Sequence, residues 1–288
     1  MTDAVRTGTA GQYEATVLEN RSIAERTFRI RLECPGLAAA IRPGQFVMVR
    51  TGRTLDPLLG RPFALYEVHR DPQGVPKSID LVYLVLGRGT EALSRVSVGD
   101  RLSCWGPLGN GFSDPPRGDV VFVAGGIGQT PFLSLGRWWK GDESYAGIER
   151  HRADGPRSIR LLYGVRSKSL LAGLDDFERA GIPVQVATDD GSAGHQGFAT
   201  DLLEPLLTGS IPPALVIGCG PSPMLRTLAR RLAAAGCPGL LSLENHMACG
   251  FGVCFSCVAP ILQDDGSSDL RRVCVEGPIF DAARVVWS

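Results

Sequence analysis

The sequence predicts a multidomain β plus α/β protein: an N-terminal antiparallel six-stranded β-barrel, a central doubly wound parallel sheet, and a small cysteine-rich C-terminal subdomain. Three observations predict it. Residues 13–112 carry β-rich runs and no strong helical period. Residues from 119 onward alternate unbroken apolar strands with helical segments, the pattern of a parallel sheet covered on both faces. From about 241 the chain turns to short segments wrapped around cysteines.

The barrel strands are read from YEATVLEN, TFRIRLEC, QFVMVRT, FALYEV and IDLVYLVLG, with turns such as Arg42-Pro43-Gly44 and Val98-Gly99-Asp100 between them. SDPPRGD, at 113–119, is a linker by composition. VVFVAGGIGQTP reads as a buried strand, a glycine turn and the start of a helix, with Pro131 suited to its first turn. IRLLYGVRS, PVQVATDD and ALVIGCGP are further strands, and LAGLDDFERAG and SPMLRTLARRLAAAG the helices between them. Residues 137–157 are polar and irregular, so an exposed excursion is expected. The units run over 11–115, 118–238 and 240–288.

Of the 288 residues, 44% are hydrophobic and 21% charged, an ordinary globular balance. Thirty basic and thirty acidic residues cancel, so no bulk charge recommends nucleic acid or an anionic membrane as partner. The first residues have no apolar signal core, and no run of about eighteen apolar residues could span a bilayer. A cytoplasmic location is expected, where eight cysteines are thiols or metal ligands before they are disulfides.

Cys249, Cys254 and Cys257 form C-x4-C-x2-C, and Cys274 follows. This is the plant-type spacing for a [2Fe–2S] cluster. Four thiolates must converge on two irons, and a short loop can supply three if its backbone curls, which Gly250 and Gly252 permit. Curling also aims amide N–H groups at the sulfurs. The rival is zinc, but structural zinc prefers paired C-x2-C knuckles and only Cys254–Cys257 has that spacing. Cys34, Cys104 and Cys237 read as small buried residues.

Gly125, Gly126 and Gly128 follow a hydrophobic strand and precede a helix, where a glycine turn lets the backbone approach a pyrophosphate. Gly218-Cys219-Gly220-Pro221 ends the last strand of the sheet. Ligands of doubly wound sheets sit at the carboxyl ends of strands, so Cys219 should face the same crevice. A tight turn and a buried cysteine are the plain structural alternatives.

Several matches then accumulate in one order: Arg61-Pro62-Phe63-Ala64-Leu65, Gly87-Arg88-Gly89-Thr90, GPLGNGF at 106–112, GGIGQTP at 125–131, YGVRS at 163–167, TDDGSAGHQG at 188–197, GCGPSPML at 218–225 and the cysteine loop. Over residues 13–288 the chain resembles the electron-transfer subunits of two-subunit, NAD-linked dihydroorotate dehydrogenases, a branch of the ferredoxin-reductase superfamily. The resemblance implies FAD in the barrel, NAD(H) on the parallel sheet and the [2Fe–2S] cluster on Cys249, Cys254, Cys257 and Cys274. Arg61 would neutralise the FAD pyrophosphate, Pro62 and Phe63 would shape the strand, and Gly87, Gly89 and Thr90 would meet its phosphates. Gly125, Gly126 and Gly128 would take the NAD pyrophosphate, and Cys219, flanked by Gly218 and Gly220, would lie at the nicotinamide in a catalytic position. It also implies a partner, an FMN-containing dihydroorotate dehydrogenase catalytic subunit, in a heterotetramer of two of each. The chain departs from the family in two places. Family members carry Ser or Thr where Ala64 stands, and Glu276-Gly277-Pro278 replaces their Asp-Gly-Pro.

The expected function is transfer of electrons from the partner through the cluster and FAD to NAD+. NAD takes two electrons as hydride and a cluster carries one, so a flavin must stand between them. Two alternatives remain at this stage. One is a related FAD/[2Fe–2S] subunit of another complex, of sulfide dehydrogenase or bifurcating transhydrogenase type; the other is a non-enzymatic regulator with a zinc-bound tail. Arg166 and Lys168 could meet a 2′-phosphate and Asp189 and Asp190 could disfavour one, so the residues alone leave NAD and NADP open. Arg271 and Arg272 read as a solvated face, a cluster-tuning pair or a docking pair.

Overall fold

A computed structural model describes residues 10–51 and 56–287. The reading of the first residues as free of a signal therefore falls largely outside the described residues. Among the described residues no helix is long and apolar enough to cross a membrane.

The N-terminal sheet contains β1 (Gly11–Ala24), β2 (Thr27–Glu33), β3 (Phe46–Arg50), β4 (Arg61–Ala64), β5 (Glu67–Arg70), β6 (Pro76–Leu84) and β7 (Arg101–Leu108). Two short helices join it, α1 (Pro35–Ala40) and α2 (Arg88–Ser94). The strand order is β4-β3-β7-β1-β2-β6-β5, and every pairing is antiparallel. Seven strands stand where six were expected because FALYEV is not one strand. The chain breaks at Leu65-Tyr66, and its halves lie on opposite edges of the sheet. The break is itself the closure: Leu65 N–H donates to Gln45 O and Tyr66 N–H to Asp80 O, each at 3.0 Å. One bent segment thus ties both edges, which satisfies backbone groups that an open edge would leave bare.

The second sheet is built from β8 (Asp119–Gly125), β9 (Ser158–Val165), β10 (Val184–Thr188), β11 (His195–Gln196), β12 (Leu215–Cys219) and β13 (Gly239–Ser242), all parallel. Helices α3 (Phe132–Trp139), α4 (Leu174–Arg179), α5 (Glu204–Leu207) and α6 (Ser222–Ala235) lie between the strands. The hairpin β14 (Val258–Leu262) and β15 (Ser268–Arg272) follows, and β16 (Ile279–Asp281) returns antiparallel to β13. The order β11-β10-β9-β8-β12-β13-β16 reverses direction between β8 and β12. Their carboxyl ends, Ala124 and Cys219, are register partners. That reversal is the crevice where doubly wound sheets hold ligands.

Residues 137–157 are an exposed excursion only in part: 151–154 are exposed, but the first half is anchored by buried aromatics. Trp138, Trp139 and Tyr145 are fully buried. The Trp138 indole N–H donates to Ile148 O at 3.1 Å and stacks under the Arg150 guanidinium at 4.0 Å, while the Tyr145 hydroxyl donates to Glu67 of β5 at 2.6 Å. Arg150, one of the polar residues that suggested a loop, is the partner of a buried aromatic. Cys34 and Cys104 are buried as expected, whereas Cys237 is half-buried with its thiol directed at Pro213 O.

Barrel and sheet meet through a polar seam. Asp80 of β6 is fully buried and accepts from Arg29, from Arg31 at 2.8 Å and from His69 at 2.8 Å. Arg29 also reaches Asp176 of α4 at 3.2 Å, and the Tyr66 hydroxyl donates to the same carboxylate at 2.7 Å. Burial works to raise the Asp80 pKa, but the hydrogen bonds of His69 and Arg31 and the charges beside it win, and the carboxyl is held far below its ordinary range. Asp80→Ala should therefore cost about 3–5 kcal/mol, because it strands buried cations. A group with a depressed folded pKa contributes its stability above its unfolded value. The gap between wild type and variant, read from urea midpoints, should be full above roughly pH 4 and narrow as the pH falls below it.

Candidate functional site

Arg61 opens β4 on the sheet edge beside β3. Its guanidinium donates to the carbonyls of Leu59 at 2.7 Å and Gly60 at 3.2 Å. No carboxylate pairs with it among the described residues, so its charge is available to an anion. Gly89 lies directly against it: a Cβ built there would sit 2.9 Å from Arg61 Nε, whereas one on Gly87 would meet nothing within 4 Å. The structure thus brings Arg61, Gly87 and Gly89 together. Thr90 departs from expectation: its hydroxyl accepts from the N–H groups of Leu86 and Gly87 and caps α2, which leaves it committed locally. Phe63 turns into the barrel against Tyr83, with ring centres 5.7 Å apart, while Pro62 and Ala64 stay half-buried.

At the switch point the two glycine loops are packed on one another. A Cβ on Gly128 would lie 2.2 Å from Cys219 O, and one on Gly125 2.7 Å from Met224 Sδ. Gly220 has φ +153 and abuts the Gly125 backbone. These glycines serve loop-to-loop contact. Gly126, with φ +57 and nothing within 4 Å, is the one that faces open space. Gly218 faces the other way: a Cβ there would meet Leu228 of α6 at 2.4 Å, so it is a packing residue and not a crevice residue. The turn after β8 is a 3-10 segment, Gly126–Gln129, and α3 begins only at Phe132, so Pro131 precedes the helix instead of lying in its first turn.

Cys219 is buried, and burial first, then the nearby Glu244 carboxylate, pushes its thiol pKa well up. It is a protonated thiol at neutral pH and not a nucleophile. Two residues here went unread in the sequence. Glu244, just past β13, lies near Cys219; it still reaches solvent, and desolvation by the surrounding chain raises its pKa. Gln129 is fully buried with neither amide atom hydrogen-bonded, an orphan that a bound group or water would satisfy. Only the fold places either at the crevice. Arg166, Lys168, Asp189 and Asp190 are exposed at the ends of β9 and β10, and Asp190 is spent on Ser192 in its own turn.

The cysteine loop curls on Gly250 and Gly252, with φ +81 and +89. A Cβ at Gly250 would collide with Met48 Cγ at 2.6 Å, so the loop lies flat on β3 of the barrel. The four thiols gather at this end: Cys254 lies near Cys249, and Cys274 lies near Cys257 and Cys249. The Ser256 hydroxyl, then amides of the loop, lower the Cys254 thiol to about 6; burial, then Cys257, raises Cys274 to about 12 against the Gly252 amide. Among the described residues no three Cys, His, Asp or Glu side chains form a group able to grip one ion. Four gathered thiols in the C-x4-C-x2-C order, with loop amides turned to a sulfur, fit a [2Fe–2S] cluster better than the paired knuckles of structural zinc.

The barrel holds this loop by side chains the sequence did not single out. Asn110, within GPLGNGF, donates its amide to Glu276 O at 3.1 Å and Ile279 O at 2.9 Å, and its carbonyl accepts from Ile279 N at 3.0 Å. Glu276 in turn pairs with Arg271 at 2.9 Å and Arg272 at 3.2 Å, and Arg272 donates to Gly252 O. Arg272 braces the loop and Arg271 holds Glu276 and Gln263, so neither is simply a solvated face.

Residues 244–286 match the model of the iron–sulfur cluster binding domain of dihydroorotate dehydrogenase B. Over 276 residues, 96% of this chain and 98% of the relative, the chain is 37% identical to the dihydroorotate dehydrogenase B (NAD(+)) electron transfer subunit of Desulforamulus reducens. It is 34% identical to that of Geobacillus thermodenitrificans, with 96% and 99% covered. The chain belongs to this family of electron-transfer subunits. Among solved structures it is similar to an NADH-dependent reduced ferredoxin-NADP oxidoreductase of flavin-based electron bifurcation, with a TM-score of 0.78, 25% identity, and 96% and 91% of the two chains covered. An Amycolatopsis cytochrome P450 reductase shares the fold at a TM-score of 0.64 and 24% identity, over 82% and 69%. The chain therefore shares its fold with these reductases.

Because the two glycine loops touch through backbone, Gly128→Ala should force them apart. We expect a loss of at least about 1–3 kcal/mol, measured as a lower urea midpoint at unchanged slope.

Proposed function

We propose that the chain is the electron-transfer subunit of an NAD-linked dihydroorotate dehydrogenase serving pyrimidine biosynthesis. It would hold FAD within 11–115, NAD(H) within 118–238 and a [2Fe–2S] cluster within 240–288, and act with an FMN-containing catalytic subunit in a heterotetramer of two of each. The observation that carries this is the seating of the gathered cysteines on β3, the strand that pairs with the Arg61 strand.

When bound, the cluster moves single electrons, NAD takes two as hydride, and the flavin works with either number. The protein's part follows from its residues. Arg61, lacking a carboxylate partner among the described residues, offsets pyrophosphate charge beside the open Gly87. Gly126 lets a second pyrophosphate approach at the switch point. Cys219 stays protonated there, a small apolar floor that keeps water from the crevice. The cysteine loop presents Phe251, Val253 and Phe255 to solvent, with Phe255 held at φ +54. Exposed apolar residues around a redox site are the face we assign to the catalytic partner.

Anaerobically purified protein should be brown, with flavin absorption and about two iron and two sulfide per chain. Cys254→Ser should remove the cluster absorption and leave the flavin; a zinc-bearing, colourless preparation would defeat the proposal. A tagged chain should co-purify an FMN protein that oxidises dihydroorotate, and Val253→Asp should abolish that capture with both chromophores retained. Recovery of a different oxidoreductase would move the chain to the alternative, a subunit of another flavin and iron–sulfur complex.

A further inference from the structure

One aromatic side chain joins the two sites. Trp105 lies in β7, opposite Gln12 of β1 and Met48 of β3. Its indole N–H donates to Cys249 O at 2.8 Å. The far edge of the same ring covers Gly60: a Cβ built there would stand 2.5 Å from Trp105 Cη2 and 3.2 Å from Cζ2 and Cζ3. Gly60 is bonded to Arg61, the first residue of β4. Met48, its register partner, is the residue against which Gly250 packs. A single rigid ring therefore spans from the backbone of a cysteine ligand to the backbone that aims Arg61.

We propose that Trp105 is the positioning residue that fixes the separation between the cysteine loop and the Arg61 strand, and so the speed of electron passage between them. The inference rests on the function proposed above. Three features support it. Cys254 and Phe255 are exposed, so the loop's outer limb has little packing of its own and depends on ties at its root. An indole has only two side-chain torsions and is half-buried here, so it transmits position with little slack. Gly60 has no side chain, and the ring occupies the space one would need, so ring and strand cannot shift independently. The bond goes to a carbonyl and not to sulfur, so its effect falls on placement before it falls on redox potential.

The test uses the holoprotein without its partner, mixed with NADH and followed by stopped-flow absorbance. Trp105→Phe keeps an aromatic ring in β7 but loses the donor and the far edge that covers Gly60; Trp105→Leu removes the ring as well. We expect unchanged iron and flavin content in Trp105→Phe, an unchanged first phase of flavin bleaching, and a cluster-bleaching phase slowed several-fold. Trp105→Leu should be slower still. The cluster midpoint potential should stay put, while hydrogen exchange of the 249–254 amides quickens. An unchanged cluster phase, unchanged exchange, or loss of iron from Trp105→Phe would each overturn the proposal, the last by making the residue a plug that retains the cluster. A wild-type protein without flavin or cluster absorption would instead defeat the parent reading, before any variant is compared.

Discussion

A redox loop on the surface of a protein is useful only if its backbone is held still, and here that hold comes from hydrogen bonds at the end of one barrel strand. Asn110 makes three bonds to the turn at 276–279 and Trp105 makes one to Cys249. They reach both sides of the cysteine site, the loop that carries Cys249, Cys254 and Cys257 and the segment that carries Cys274. Backbone groups are obligatory hydrogen-bonding partners, so side chains that satisfy them fix the chain more firmly than apolar contact alone. Phe46, Met48 and Leu108 of the barrel share one core with Cys257, Ala259, Val273 and Cys274 of the tail. The tail therefore leans on the barrel and does not need a large core of its own, which so short a segment could not build.

The barrel and the parallel sheet are joined in a different way. Their seam is ionic, with Asp80 at its centre, Arg29 shared between Asp80 and Asp176, and Glu67 taking bonds from Tyr145 and Arg137. Such networks are costly to break from one side and specific in register. They set the angle at which the sheet's switch point faces the barrel. Apolar contact fixes how tightly the tail sits; charge fixes how the two larger units are aligned.

The glycines show how one residue type serves opposite ends. Gly250 and Gly252 are demanded by positive φ in a loop that must curl. Gly128 and Gly220 are demanded by close approach of two backbones, and Gly125 by the side chains of Met224 and Pro221. Gly126 alone in its loop keeps both the left-handed conformation and open space.

The C-x4-C-x2-C spacing, the strand periodicity and the glycine turns determined the three-part architecture and the likeness to a known family, because local pattern and local chemistry carry those signals. What lay beyond local pattern was decided by the fold. The break at Leu65-Tyr66 that closes the barrel depends on partners at Gln45 and Asp80 from distant strands. The burial of Trp138, Trp139 and Tyr145 inside a polar-looking stretch depends on Glu67, Ser113 and Arg150. Gly218 turning to α6, Thr90 capping its own helix, and Glu244 and Gln129 arriving at the crevice are equally matters of which element lies across from which. Sequence states which groups a chain carries; the long-range pairing of its strands decides which of those groups meet.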